Sequence, residues 1–395
     1  MKINQHYLAL PENYLFSKVA AKTQQFQKLH PTRSLIKLSI GDVSRPLPGC
    51  IVRALRQACS EMGQVKTFRG YGPEIGYLWL REAIAKFYCA QYQVKVASDE
   101  IIISDGAKSD VSNILDIFNS QVKVAMCNPV YPVYLETNLM LGRQVQFFEA
   151  TAENNFLPLP NNKIQADIIY LCNPANPTGV CYNRAQLQQW VDFAREHNAI
   201  ILYDAAYACF ITEPDLPKSI YEINGAYECA IEICSLSKMA GFTGVRCGYT
   251  IIPKQLRRDG VSLNQLWRRR QSTKFNGVSY IVQRGAATVF TPVGLSEIQR
   301  NIIYYQRNLR LICHTLNKLK WQFFGGVNAP YVWVRCPEQM KSWQFFDYLL
   351  NDLGIVCTPG VGFGTCGEGY VRLTGFNTYK NTRIACQRLL QLLKR

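Results

Sequence analysis

The sequence predicts an α/β protein in which helices sandwich a large, mainly parallel seven-stranded sheet, with a smaller α+β domain beside it. Three observations carry this prediction. Short apolar runs alternate with helix-like segments from Val122 onward, the rhythm of strands joined by crossover helices and buried on both faces. The chain has 395 residues, more than one small core accommodates. Beyond about residue 291 the rhythm changes to a long helix followed by strands around a glycine-rich loop.

Composition narrows the class. With 48% hydrophobic and 18% charged residues, the chain has the balance of a well-packed globular protein rather than a disordered or fibrous one. The amino terminus, MKINQHYLALPENYLF, is polar where a secretion signal needs an apolar stretch, and no run has the length of a membrane span; a cytoplasmic protein is expected. The 15 cysteines are odd in number, form no Cys-x-x-Cys pair and include Cys127, Cys172, Cys209 and Cys234 inside apolar runs, so reduced core thiols are expected. His6, His30, His197 and His314 show no metal-ligand spacing, and no metal is expected. A net charge of +16 is densest around Arg268-Arg269-Arg270 and Lys274, but zinc-finger and RNA-binding signatures are absent and 28 acidic residues are interspersed. We read a solvated basic face that favours anionic small substrates, not a nucleic-acid site.

Taken in order, residues 16–29 have a helical pattern ended by His30-Pro31, and 35–40 alternate as a strand that runs into Gly41-Asp42. Residues 69–76 place three glycines and a proline in eight positions, a shaped loop that displays Tyr71 and Glu74 before a helix over 78–92. A strand over 101–104 turns through Asp105-Gly106-Ala107-Lys108 into a helix ending near Phe118. Such a strand, glycine turn and helix start present backbone N–H groups at the positive end of a helix dipole, a phosphate site.

Further strands are expected over 122–126, 145–149, 167–171, 200–203, 230–234 and 247–252, with a crossover helix over 186–196. Ligands of such a sheet bind beyond the carboxyl ends of its strands. There the sequence puts Tyr131, then Asn173-Pro174-Ala175-Asn176-Pro177-Thr178-Gly179, then Asp204 and Tyr207, then Lys238. Lys238 falls on an irregular step between two apolar runs, with Ser235, Ser237 and Arg246 around it. A lysine held desolvated beside cations stays nucleophilic and forms imines, and two hydroxyls with a guanidinium suit a phosphate. Together they suggest pyridoxal 5′-phosphate (PLP); alone, the segment also reads as a surface turn.

The last part carries a helix over 295–319, strands at 331–334, near Val356 and at 369–373, a helix over 342–353, the loop Pro359-Gly360-Val361-Gly362-Phe363-Gly364, and a terminal helix. Arg372, inside a strand, needs an anionic partner, either a protein carboxylate or a ligand. Three parts are expected: an arm and part of the small domain over 1–40, a large domain over 41–290 and a small domain over 291–395.

The ordered set Asn173-Pro-x-Asn-Pro-Thr-Gly179, Asp204-x-x-Tyr207, Ser235-x-Ser-Lys238 and Gly244-x-Arg246 resembles the class I/II aminotransferases of PLP fold type I. Tyr14-Leu-Phe, Ser39-Ile-Gly-Asp42, Arg69-Gly-Tyr-Gly-Pro-Glu74, Asp105-Gly-Ala-Lys108, Tyr131-Pro-x-Tyr134, Phe275-Asn-Gly277 and Gly360-x-Gly-Phe-Gly364 look like the LL-diaminopimelate aminotransferase branch, over nearly the whole chain. Val43-Ser44 departs from a threonine pair common there, which bears on substrate preference, and Cys247 stands where a larger aliphatic residue is common.

The resemblance implies a homodimer with shared active sites. It implies transamination between LL-diaminopimelate plus 2-oxoglutarate and L-2,3,4,5-tetrahydrodipicolinate plus L-glutamate, on the lysine and cell-wall route. Lys238 would be the imine-forming residue and the acid–base group, Asp204 the partner of the pyridine nitrogen, and Tyr207 and Asn176 the donors to the phenolic oxygen. Tyr131 would stack on the ring. Ala107, Lys108, Ser235, Ser237 and Arg246 would hold the phosphate, with Tyr71 and Asn276 reaching over from the neighbouring subunit. Arg372, Gly41 and Asn176 would clamp the substrate α-carboxylate, leaving Glu74, Lys108, Tyr14 and Asn276, beside Tyr131, for its remainder. Two readings stay beside this one: an aromatic or general amino-acid aminotransferase of the same fold, and a PLP-binding DNA regulator, which would want an added helix-turn-helix domain.

Overall fold

The computed structural model describes residues 1–10, 15–39 and 41–394. The first half contains α1 (Leu15–Leu29), β1 (Ile36–Lys37), α2 (Gly49–Met62), α3 (Leu78–Tyr92), β2 (Ile101–Ser104), α4 (Ala107–Asn113), β3 (Val124–Asn128), α5 (Pro132–Met140), β4 (Val145–Glu149) and β5 (Ile168–Cys172). After these come α6 (Arg184–Glu196), β6 (Ile200–Asp204), β7 (Ala230–Ser235), α7 (Leu236–Ala240), β8 (Gly248–Ile251), the ribbon β9 (Arg257–Arg258) and β10 (Val261–Ser262), and α8 (Leu263–Lys274). The chain ends with α9 (Tyr280–Val289), α10 (Pro292–Lys318), β11 (Phe323–Gly325), β12 (Tyr331–Arg335), α11 (Ser342–Leu353), β13 (Ile355–Val356), β14 (Thr358–Pro359), β15 (Tyr370–Thr374) and α12 (Tyr379–Leu390).

Seven strands form the large sheet in the order β2-β8-β7-β6-β5-β3-β4. All neighbours are parallel except β8, which runs antiparallel between β2 and β7. The inner strands are buried on both faces, because one apolar cluster holds Ile169, Leu171, Ile201 and Tyr203 and another holds Ile168, Tyr170, Ile200 and Leu202. Alternate residues therefore face opposite layers of helices. At the edge, β4 is only partly covered, and its Phe147 is exposed. Local chemistry agrees with the element starts: Asn183 caps α6 through Gln186 N, and Thr291 caps α10 ahead of Pro292.

The smaller sheet is antiparallel, in the order β11-β12-β15-β14, and a third apolar cluster fills the space between it and its helices. Residues 36–37 pair in parallel with 355–356, so the start of the chain lies against its last quarter. The strand expected over 35–40 is shortened to β1, with Ile40 outside the described residues. All 15 cysteines are free, and only Cys59 and Cys89 are exposed. Among the described residues no helix is long and apolar enough to cross a membrane.

The antiparallel β8 has a direct effect on the site. Register pairs Gly248 with both Ser104 and Ser235, so the turn after β2, the segment after β7 and the residues entering β8 meet at one end of the sheet. A parallel neighbour would have needed a full crossover and delivered Arg246 to the other end.

Candidate active site

At that end lies a cavity of about 180 Å³ lined by Ala107, Lys108, Tyr131, Asn176, Asp204, Tyr207, Ser235, Ser237, Lys238 and Arg246. These ten expected site residues come from six separate stretches of chain. The step carrying Lys238 is not the irregular loop expected from sequence. It is the short helix α7, begun where Ser235 Oγ accepts from Ser237 N at 3.1 Å and ended by Gly241 at φ +81°. That cap winds a serine-lysine segment too short for a helical period to show.

Lys238 Nζ stands 5.8 Å from the centre of the Phe376 ring. Burial, helped by Arg246 and Arg372 and opposed by Asp42, brings its pKa down to about 8. Arg246 holds Ser237 Oγ through Nη1 at 3.1 Å. Facing it is Gly106 at φ +136°, where any Cβ would lie 2.5 Å from Arg246 Nη2; only glycine permits that approach. Below this turn Asp110 is buried, with Ser104 Oγ (2.5 Å) and Thr250 Oγ1 (2.8 Å) donating to its Oδ2 while Oδ1 has no partner. Burial lifts its pKa to about 7 against those two bonds.

On the opposite wall Asp204 is buried at the end of β6. Tyr134 Oη donates to its Oδ2 and Ala206 N to its Oδ1 at 3.0 Å. Burial raises its pKa against both bonds, and no cation among the described residues pairs with it. Tyr207 Oη and Tyr331 Oη are 2.9 Å apart. Tyr131 lies edge-on to Tyr134, and Tyr134 stacks on Tyr170.

Arg372 is 1% exposed on β15. Its Nη1 donates to Asn176 Oδ1 at 2.7 Å and its Nη2 to Ser39 O at 3.0 Å, while Nε has no partner. The rings of Tyr331, Phe363 and Phe16 surround the guanidinium at 4.3, 4.9 and 5.6 Å. Among the described residues no carboxylate forms an ion pair with it. A Cβ on Gly41 would lie 2.8 Å from Tyr331 Oη, so that glycine lets the backbone pass beside the guanidinium.

Three expected residues lie apart from this cavity. Tyr71 is 94% exposed, Glu74 and Asn276 are exposed too, and Gly277 packs on Pro73 and Glu74 so that the two segments form one surface. Tyr14 lies outside the described residues. Sequence reasoning missed Tyr134, Tyr331, Phe376 and Asp42 as neighbours of the site. For Tyr134 a signal existed, since it follows Tyr131 by three residues at a helix start and so shares its face.

The profile of the family described as aminotransferase class I and II matches residues 33–389. Curated LL-diaminopimelate aminotransferases align along the whole chain. The one from Lawsonia intracellularis is 48% identical over 99% of this chain and 98% of its own, and one from Bacteroides fragilis is 49% identical over 95% of each. The chain belongs to the LL-diaminopimelate aminotransferase family. A solved L,L-diaminopimelate aminotransferase from Chlamydomonas reinhardtii superposes with a TM-score of 0.93 at 38% identity, over 99% of this chain and 98% of the other.

Like its family, the enzyme is a PLP-dependent aminotransferase. The residues present fit that cofactor. A buried carboxylate without a cation suits a protonated pyridine nitrogen, and a desolvated lysine suits an aldehyde carbon. The glycine turn against Arg246 is a cradle that a Cβ would fill, and it suits a phosphate.

Proposed function

We propose that this aminotransferase takes an amino group from LL-diaminopimelate to 2-oxoglutarate, giving L-2,3,4,5-tetrahydrodipicolinate, L-glutamate and water, reversibly, on the lysine and cell-wall route. The observation that carries the chemistry is a single cavity in which Asp204, Lys238 and Arg246 are gathered without an ion pair among the described residues. Likeness along the full chain to LL-diaminopimelate aminotransferases supports the substrate.

When bound, PLP supplies the carbonyl that receives the amino group and the electron sink for the substrate α-carbon. Asp204 would hold the proton on its pyridine nitrogen, with Tyr134 and Ala206 N fixing the carboxylate. Tyr207 would donate to the phenolic oxygen, and the Nδ2 of Asn176, whose Oδ1 is engaged by Arg372, would do the same. Tyr131 would cover the ring. Ser235, Ser237, Arg246 and the N–H groups of Ala107 and Lys108 would bind the phosphate. The amine of Lys238, free of charge at mildly alkaline pH, would take the α-proton and return it to the adjacent cofactor carbon. Arg372 would bind the α-carboxylate with its unpartnered edge, beside Gly41, and so align the C–H bond.

A cytoplasmic homodimer with shared sites belongs to this proposal. The exposure of Tyr71, Glu74 and Asn276 supports it: each sits on the surface of its own subunit and would complete the partner's site, Tyr71 and Asn276 at the phosphate, Glu74 at the distal ammonium. The division into residues 1–40, 41–290 and 291–395 is supported by the β1–β13 pairing and by the separate apolar cluster of the smaller sheet. The test is a donor screen with 2-oxoglutarate as acceptor. LL-diaminopimelate should lead; a preference for phenylalanine or tyrosine would overturn the substrate assignment in favour of an aromatic aminotransferase.

A further inference from the structure

Gln283 has no solvent exposure, yet it carries two directed hydrogen bonds. Its Oε1 accepts from Tyr77 N at 2.8 Å, and its Nε2 donates to Val278 O at 2.7 Å. Tyr77 closes the loop that bears Tyr71 and Glu74, and Val278 closes the turn that bears Asn276. One buried amide therefore joins the bases of both exposed segments. Around it the loop is clamped further: Ile103 N donates to Ile75 O at 3.0 Å, Arg81 Nε to Gly76 O at 3.0 Å, and a Cβ on Gly76 would lie 2.2 Å from Ile103 Cγ1. The turn is held at its start by Phe275 N and Asn276 N, which donate to Gln271 O at 3.0 and 3.2 Å. Asn276 sits at φ +63°, and a Cβ on Gly277 would lie 3.2–3.4 Å from Pro73 O and the Glu74 backbone.

A glutamine fits this place for a chemical reason. Its planar amide carries an acceptor and a donor on one rigid group, so the loop's N–H and the turn's C=O are held at a fixed separation. Without Gln283 the Tyr77 N–H and the Val278 C=O would lose the bonds that hold them at that separation. Such a bridge sets the position of Glu74 and Asn276 relative to each other, and groups that enter one site from outside, Glu74 toward the substrate and Asn276 toward the cofactor phosphate, need that separation fixed.

We propose that Gln283 is a positioning residue whose effect on the reaction is exerted in the partner subunit's active site. This rests on the shared-site reading above. Although Gln283 is buried in its own subunit, its loss should impair the neighbour's turnover and leave its own intact.

The experiment uses heterodimers purified through two different tags, in which Lys238→Ala silences one site. In the trans arrangement Gln283→Leu is on the subunit that keeps Lys238; in the cis arrangement it is on the Lys238→Ala subunit, opposite a wild-type one. We expect the trans dimer to turn over LL-diaminopimelate like a single wild-type site, and the cis dimer to lose about tenfold to a hundredfold in kcat/KM, the effect of groups displaced by about an ångström. Equal activities, or a deficit confined to the trans dimer, would overturn the proposal. A parallel pair carrying Tyr71→Phe with Glu74→Gln in place of Gln283→Leu separates the role of Gln283 from the sharing of sites. If that pair shows the asymmetry and Gln283 does not, only the role of Gln283 fails; if neither shows it, shared sites fail as well. Should Gln283→Leu not fold, Gln283→Glu keeps the acceptor for Tyr77 N, loses the donor to Val278 O, and is read in the same way.

Discussion

Arg372 donates to Asn176 at 2.7 Å across 196 positions of sequence, and this bond ties the last strand of the smaller sheet to the loop that follows β5. Together with its bond to Ser39 O, this holds the guanidinium from two sides. Replacing it with lysine keeps the charge but loses the two-sided fork. Arg372→Lys should lower kcat/KM for LL-diaminopimelate and for glutamate alike, by roughly a hundredfold given what a buried charge contact is worth. Unchanged kinetics with glutamate would remove Arg372 from α-carboxylate binding.

Lys238→Ala should bind PLP without a covalent bond and lose roughly 10²–10⁴-fold in turnover, the range for a general acid–base group. Borohydride treatment of the wild-type holoenzyme, followed by peptide mapping, should fix the cofactor on the peptide that contains Lys238. A label on Lys108 would contradict the assignment.

Because the Lys238 amine has its pKa brought down to about 8, capture of PLP by cofactor-free protein should speed up as pH rises and level off above that value. Asp42 is the neighbouring charge that holds this pKa up. Stopped-flow absorbance on Asp42→Asn should therefore show the midpoint shifted to lower pH; a shift upward would mean that the carboxylate does not act on the amine.

Glu74→Gln should reduce kcat/KM for LL-diaminopimelate by more than about tenfold, since a charged contact in a closed site costs on the order of 2–5 kcal/mol to lose. The glutamate half-reaction, which has no distal ammonium, should be spared. Single-turnover measurements of each half-reaction make the comparison, and equal losses in both would show that Glu74 does not read the distal end.

Asp110 holds its proton more tightly folded than unfolded, because burial raises its pKa from 3.8 to about 7. Its contribution to stability is thus complete below the ordinary carboxylate value and is lost as pH rises from there through about 7. Asp110→Asn, which keeps an oxygen for Ser104 and Thr250, should remove this dependence. The melting temperature of the variant should gain on that of the wild type between pH 4 and 7; parallel curves would argue against a buried proton at this position.

The sheet was legible because its strands are apolar runs bounded by turns, and a strand buried on both faces has little alternative pattern. The residues at the ends of those strands were legible for the same reason, as with Asp204 at the end of β6. What sequence did not disclose depends on long-range geometry. Tyr331 begins a strand and looks like any core tyrosine, yet it meets Tyr207 124 positions away. Phe376 lies beside Lys238 only because the segment after β15 folds back over α7. The protein neighbours of Arg372, which are rings, an amide and a carbonyl, come from distant segments and could not be read from its own strand.

The free thiols have a practical consequence. With Cys59 and Cys89 exposed and the other thirteen at least partly sheltered, the folded enzyme offers an alkylating reagent two ready targets, and the remainder become available as the protein opens. Mass spectrometry of labelled protein would then time local loosening segment by segment. Cys172 at the end of β5 would report on the Asn176 loop, and Cys234 on the strand that leads to Lys238. The chain thus carries its own set of opening sensors, distributed through the elements that build the site, without any engineered probe.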